Sequence, residues 1–332
     1  FGTRENVLII TGSGTSALEA AVSNTLAPGD EAVVVVTGAF GDRFFKIASR
    51  FGAQVHRLDI PWGEACSPDT LKSFLADHPK VKAVFLTHCE TSTGVLNPVK
   101  DLAKVVKEHT DALVIADGVS SVGGVPVEMD EWGVDIFVTG SQKAMMLPPG
   151  LAFVAVSPRA WNVISQSKGT RFYLDLLTYR EQLEKETTPF TPAIAHLFGL
   201  EAVLDMIEEE GLENIFARHR LMMEMTRAGI RALGLPLLAE DTVASPTVTA
   251  VRGGEGVDAP ALQKELRRLG VIVASGQQHL KGKIFRIGHM GYCDPLDILA
   301  LLSATETALH RLGVPVEWGA AVGAAEEMLS RV

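Results

Sequence analysis

Short unbroken apolar runs alternate with amphipathic stretches through the first half of this chain, and that alternation is the strongest constraint on its fold. Strands are expected at Ala32–Thr37, Gln54–Asp59, Ala83–Thr87, Leu113–Ala116, Ile136–Thr139 and Leu151–Val156, with helical stretches such as Asp42–Phe51, Pro68–Asp77 and Pro98–His109 between them. Val33-Val-Val-Val36 has no polar face at all, which suits a strand covered on both sides. The order reads as an α/β fold, a mostly parallel central sheet with helices on both faces. After Pro192 the pattern changes to two long helices, Ile194–Glu210 and Leu212–Leu233, the second amphipathic enough to link domains. A smaller α+β unit follows, with strands near Val248–Val251, Val271–Ala274 and Ile284–Ile287, helices Ala259–Leu269 and Pro295–Leu312, and a last helix at Ala320–Arg331. With 332 residues and 47% hydrophobic content, the chain is long enough for two cores. The expected division is a large domain over residues 1–211 and a small C-terminal domain over 212–332.

The formal net charge of −10 argues against a general nucleic-acid surface. No apolar run approaches the length of a membrane span. Cys66, Cys89 and Cys293 have neither metal-ligand spacing nor an even disulfide framework, so a reducing cytoplasm is the expected setting.

Three motifs carry chemistry. In Asp135-Ile-Phe-Val-Thr-Gly-Ser-Gln-Lys143, an apolar strand delivers one lysine into a small-residue turn before Pro148-Pro149-Gly150. A strand-end amine of this kind, once desolvated, is suited to Schiff-base chemistry; read alone, a loop lysine such as Lys143 is more often a solvated surface charge. Asp117 closes the apolar strand Val114-Ile-Ala-Asp117 ahead of Gly118-Val-Ser-Ser121, a costly place for a carboxylate unless a cation meets it or it caps the following turn. Val7-Leu-Ile-Ile-Thr-Gly-Ser-Gly-Thr-Ser16 reads as a strand, a glycine turn and a helix starting near Thr15, an anion site built from free backbone N–H groups. The turn is also similar to a dinucleotide-binding loop, but lacks the third glycine of that fingerprint.

An anion cup, a strand-end carboxylate and a strand-end lysine in this order resemble the class V aminotransferases of the fold type I pyridoxal phosphate enzymes, in the branch of alanine–glyoxylate, serine–glyoxylate and serine–pyruvate aminotransferases. The resemblance runs from Phe1 to about Asp294. It implies pyridoxal 5'-phosphate as cofactor, an internal aldimine at Lys143 with Gln142 beside it, and Asp117 as partner of the pyridine nitrogen. Val119 and Phe40 correspond to the residues on the two faces of the ring, Ser13, Gly14 and Thr15 to the phosphate cup, and Ser92 to a residue near the ring hydroxyl. Thr188 and Thr191, in Thr187-Thr-Pro-Phe-Thr-Pro192, match a segment that reaches the phosphate of a neighbouring subunit, which implies a homodimer with shared sites. Arg286, alternating with apolar neighbours in Ile284-Phe-Arg-Ile287, matches the clamp for the α-carboxylate; read alone it is equally a strand arginine in an ordinary ion pair. Glu90 receives no role, and His289 is expected to be local structure.

The reaction implied is ping-pong transfer of an amino group from alanine or serine to glyoxylate or pyruvate, both small-molecule substrates. An aminoalkylphosphonate or aspartate aminotransferase of the same class stands as an alternative, as does a subunit that keeps the fold without catalysis. A cysteine desulfurase fits poorly, because Ser275-Gly-Gln-Gln-His-Leu-Lys281, the loop before Arg286, holds no cysteine. The family also implies a further N-terminal segment ahead of Phe1 that lines part of the pocket.

Overall fold

The apolar runs of the first half become one seven-stranded sheet in the computed structural model, which describes residues 1–254 and 256–331. Its strands are β1 (Val7–Gly12), β2 (Glu31–Val36), β3 (Gln54–Asp59) and β4 (Ala83–Thr87), then, beyond a small hairpin of β5 (Cys89–Glu90) and β6 (Val95–Leu96), β7 (Leu113–Asp117), β8 (Ile136–Gly140) and β9 (Gly150–Val156). They lie in the order β1-β9-β8-β7-β4-β2-β3. The five from β8 to β3 are parallel, whereas β9 runs antiparallel to both β8 and β1. The link from Ser141 to Pro149 is too short for the crossover that a parallel neighbour needs, so the chain doubles straight back.

Strand alternation sends β2 into two cores. Val33 and Val35 join one cluster, and Ala32, Val34 and Val36 join the other. Helices α1 (Gly14–Thr25) and α2 (Ala39–Arg50) cover the second face through Ala17, Leu18, Phe44 and Ala48. Helices α3 (Pro68–Ala76) and α4 (Val99–His109) cover the first through Leu71, Leu75 and Leu102. Full burial of such side chains contributes about 1.5–3 kcal/mol each, before chain entropy is set against it. No helix among the described residues is long and apolar enough to cross a membrane.

The second half builds a separate antiparallel sheet of β10 (Val248–Arg252), β11 (Ala274–Ser275) and β12 (Ile284–Gly288), ordered β10-β12-β11. Phe285 and Ile287 point into a core with Met222 of helix Leu212–Ala232, Leu262 and Leu266 of helix Ala259–Arg268, and Leu302 of helix Pro295–Arg311. That last helix starts at a full capping box, Asp294 accepting from Asp297 N while the Asp297 side chain accepts from Asp294 N. Ile284 and Arg286 leave β12 on the opposite face. Ile284 packs with Leu238, Ala250, Leu280 and Trp62, and Arg286 reaches Thr91 beyond the first sheet.

Two expected boundaries move by three residues, and the others by no more than two. The strand near Val271–Ala274 pairs only at Ala274 and Ser275, because Gly270 turns with φ +87° and Val271 N bonds back to Leu266 O of the preceding helix. Helix α2 starts at Ala39 and not at Asp42, since a buried carboxylate from elsewhere in the chain accepts from its first amides. Helices Met129–Trp132, Pro158–Gln166 and Leu176–Leu183 lie outside the stretches read from the sequence.

Candidate active site

The C-terminal ends of the parallel strands meet at one edge of the first sheet, the position where open α/β sheets place ligands. Thr87 pairs with Asp117, and Asp117 with Val138. Against them stands the start of α1, whose N-cap Ser13 makes no side-chain capping bond; Ser16 N donates to Ser13 O at 2.8 Å, which leaves the Gly14 and Thr15 N–H groups for an anion. Two glycines allow the approach. A Cβ on Gly140 would fall 3.1 Å from Gly14 N, and one on Gly14 would fall 2.8 Å from Val119 Cγ2. Gln142 lies beside the same junction, its Oε1 3.1 Å from the Cβ position of Gly140.

Asp117 is 3% exposed and accepts from Val119 N at 2.8 Å. Burial pushes its carboxyl up to about 7; the nearby Glu90 adds to the rise, while Val119 N, Arg43 and Lys143 pull the other way. Lys143 follows β8 in a turn closed by Met146 N donating to Lys143 O at 3.0 Å, with Met146 in the left-handed region at φ +57°. Burial depresses the Lys143 amine, and the charges of Arg286 and Arg43 depress it further against the opposing pull of Cys89 and Asp117. Gly291, at φ +79°, packs so closely on this turn that a Cβ would stand 3.0 Å from Lys143 O.

Arg286 is 9% exposed, and its guanidinium is aimed by two carbonyls, Nε donating to Ser275 O at 3.0 Å and Nη1 to Thr91 O at 2.9 Å. It joins no ion pair among the described residues, and Nη2 makes no hydrogen bond there. A buried guanidinium with a free edge is suited to a carboxylate ligand. His289 is buried and held between Thr249 Oγ1 and Pro246 O.

Glu90, given no role from the sequence, is fully buried and receives Phe40 N, Gly41 N and Ser92 N together with the Ser92 hydroxyl. It therefore anchors the start of α2 and the Phe40 backbone. Ser92 gives its one hydroxyl proton to Glu90 while accepting from Ala39 N at 2.9 Å, so no proton remains for a second acceptor. The junction has no spare volume, because a Cβ on Gly38 would overlap both the Glu90 carboxyl and the Ser92 hydroxyl. Gly38→Ala is expected to lower stability by about 1–3 kcal/mol, as overpacking does. Denaturant unfolding checks this, and an unchanged midpoint would show that the start of α2 yields.

Arg43 is the other residue missed. Its guanidinium donates to Thr15 Oγ1 at 2.9 Å and lies 4.8 Å from the Phe40 ring centroid. The available signal was its place three residues after Phe40, which puts both on one face of α2. The neighbouring Asp42, 5% exposed, holds Lys46 and Arg57 and also accepts from Gln278 Nε2 at 2.9 Å. These partners outweigh burial and bring its carboxyl down to about 2. The loop that supplies Ser275 O to Arg286 is thus tied to α2, and His279 next to Gln278 packs on Trp62.

Lys143 lies within electrostatic reach of both Asp117 and Arg286, and Asp117, through Val119, stands beside the anion cup of Ser13, Gly14 and Thr15. Thr188 and Thr191 do not join them within this chain. They are exposed on a segment that covers β1, where Thr188 Oγ1 bonds to Phe190 O and Ala193 N bonds to Thr11 Oγ1. The donor set fits pyridoxal phosphate: free helix-start amides for its phosphate, a buried carboxylate for its ring nitrogen, and a desolvated amine for its aldehyde.

The family profile described as aminotransferase class-V matches residues 1–292. A relative named soluble hydrogenase, small subunit, from Synechococcus sp. is 47% identical over 99% of this chain and 86% of that protein. The serine–glyoxylate aminotransferase of Hyphomicrobium methylovorum is 39% identical over 98% of this chain and 82% of its own length. Among solved structures, ureidoglycine–glyoxylate aminotransferase from Bacillus subtilis superposes with a TM-score of 0.94 at 33% identity, covering 99% of this chain and 86% of that one.

Proposed function

The chain belongs to the class V aminotransferases, and on that premise we propose that it moves an amino group from a small amino acid, alanine or serine, to glyoxylate or pyruvate. The observation that carries the reading is the convergence of a buried carboxyl, a depressed amine and an unpaired guanidinium at the strand ends beside a free helix start. Pyridoxal phosphate, when bound, supplies the carbonyl that takes up the amino group and the ring that accepts the electron pair of the broken Cα–H bond. The α1 amides with Ser13, Gly14 and Thr15 hold the phosphate, and Gln142 flanks them. Phe40 and Val119 would confine the two ring faces, and Ser92, held by Glu90, would brace the ring-hydroxyl side. Asp117 keeps the ring nitrogen protonated by supplying the charge that offsets it. Lys143 would hold the cofactor through its amine, and as a neutral amine it would take the Cα proton and return it. Arg286 fixes the substrate carboxylate so that the Cα–H bond stands over Lys143. Amino donor and keto acid use one site in turn, which gives ping-pong kinetics.

The reading extends to a cytoplasmic homodimer in which Thr188 and Thr191 complete the partner's phosphate site. Support comes from the apolar side chains exposed along helix Ile194–Glu210, where Ile194, Phe198 and Leu204 are 57%, 68% and 50% exposed. The division after residue 211 is supported by Gly211, which breaks the helix at φ +81° between one helix packed on the first sheet and another on the second.

Steady-state kinetics of Arg286→Ala test the substrate assignment. KM for both amino acid and keto acid should rise about 10–100-fold, the scale of one lost charge-assisted hydrogen-bond pair. An unchanged KM for either substrate would remove Arg286 from the carboxylate site.

A further inference from the structure

We infer that Arg43 is a positioning residue for the cofactor phosphate: by donating to Thr15 Oγ1 it leaves the Thr15 hydroxyl with an unspent proton to offer an anion at the start of α1. The inference rests on the function proposed above and adds a residue to it.

A guanidinium has donors and no acceptor, whereas a hydroxyl has one proton and two lone pairs. The 2.9 Å bond from Arg43 Nη1 therefore takes a lone pair of Thr15 and leaves its proton unspent. That proton finds no acceptor among the hydrogen bonds of the described residues, and the Gly14 and Thr15 amides of the same turn find none there either. The Arg43 head is itself held in place. It lies on the Phe40 ring at 4.8 Å, one helical turn away on α2, and its backbone belongs to the helix that buried Glu90 anchors.

Arg43 is also a half-buried cation that joins no ion pair among the described residues. It is close enough to Asp117 and Lys143 to influence both. A doubly charged phosphate at the α1 start supplies the missing counter-charge, so the guanidinium acts on the ligand twice, through the oriented hydroxyl and through its own field.

The test compares two ligands that differ only in the phosphate. Cofactor-free protein is titrated with pyridoxal 5'-phosphate and, separately, with pyridoxal, following absorbance and tryptophan fluorescence, for wild type, Arg43→Met, Thr15→Val and the double variant. Arg43→Met is expected to weaken pyridoxal 5'-phosphate about 10–100-fold, the scale of a hydrogen bond to a charged group, and to weaken pyridoxal by no more than about twofold. In the Thr15→Val background the same substitution should have a smaller effect, because part of it acts through the hydroxyl. Pyridoxal binding serves as the folding control, and Arg43→Lys, which keeps the charge, should recover part of the loss. Equal weakening of both ligands, or a full additional loss in the Thr15→Val background, would overturn the assignment and leave the proposed function standing. Failure of the wild type to take up either ligand would overturn both.

Discussion

Replacing Lys143 with alanine is expected to abolish covalent attachment of pyridoxal phosphate and to lower turnover by at least about a thousandfold, since it removes the nucleophile and the general base together. The wild-type protein should show a long-wavelength cofactor band that shifts on addition of L-alanine or L-serine, and borohydride reduction should fix the cofactor to the chain. In Lys143→Ala the cofactor should wash away after reduction, and the amino acid should leave the spectrum unchanged. A variant that still fixes cofactor through reduction would move the amine role to another lysine. Lys143 is the lysine whose amine is depressed by burial with two guanidinium groups nearby, which is why the expectation is strong.

Asp117→Asn should lower turnover by about a hundredfold or more, on the scale of deleting one preorganised electrostatic group. It should also change how stability depends on pH. The folded-state value for Asp117 lies at about 7, above its unfolded reference of 3.8, so the folded cofactor-free chain binds the extra proton. The stability linked to that proton is fully present below about pH 4 and is lost as pH rises through about 7, a change on the order of 4 kcal/mol. Cofactor-free wild type should thus lose stability across this interval, and Asp117→Asn should lose less. Loading with pyridoxal phosphate should flatten the wild-type slope too, because a ring cation favours the ionised carboxylate. Denaturant midpoints between pH 4 and 8 measure it. Parallel slopes for wild type and variant would show that Asp117 does not carry the proton.

The strands of the first sheet were legible because two-sided burial leaves an unmistakable mark, an apolar run bounded by polar turns, as in Val33–Val36. Direction was less legible. The sequence around Ser141–Pro149 shows two adjacent strands, and only the length of their link says that β9 must run back against β8. Asp117 and Arg286 stood out for the same reason as each other, a charge interrupting an apolar strand. Glu90 and Arg43 did not, because their meaning comes from partners far along the chain. Glu90 sits in a polar stretch and becomes an anchor only when α2 begins against it, about fifty residues upstream. Arg43 lies in an amphipathic helix next to Asp42 and Lys46, where it looks like one more solvated charge. The edge strand at Ala274–Ser275 was displaced because Val271 spends its amide on the helix before it, a local hydrogen bond that apolar patterning does not report.

The start of α2 carries Phe40, Asp42 and Arg43 within four residues, and each faces a different client: the proposed ring site, the Gln278 loop behind Arg286, and the Thr15 hydroxyl. Because Asp42 stays ionised down to about pH 2, its tie to Gln278 should hold throughout the pH range in which the site operates. A drift in donor preference that reshapes the Gln278 loop would be transmitted through one rigid turn to the grip on the cofactor. Selection for a new substrate in this lineage would therefore meet a pleiotropic barrier at α2, and the easier evolutionary routes lie in side chains that line the pocket without touching that turn.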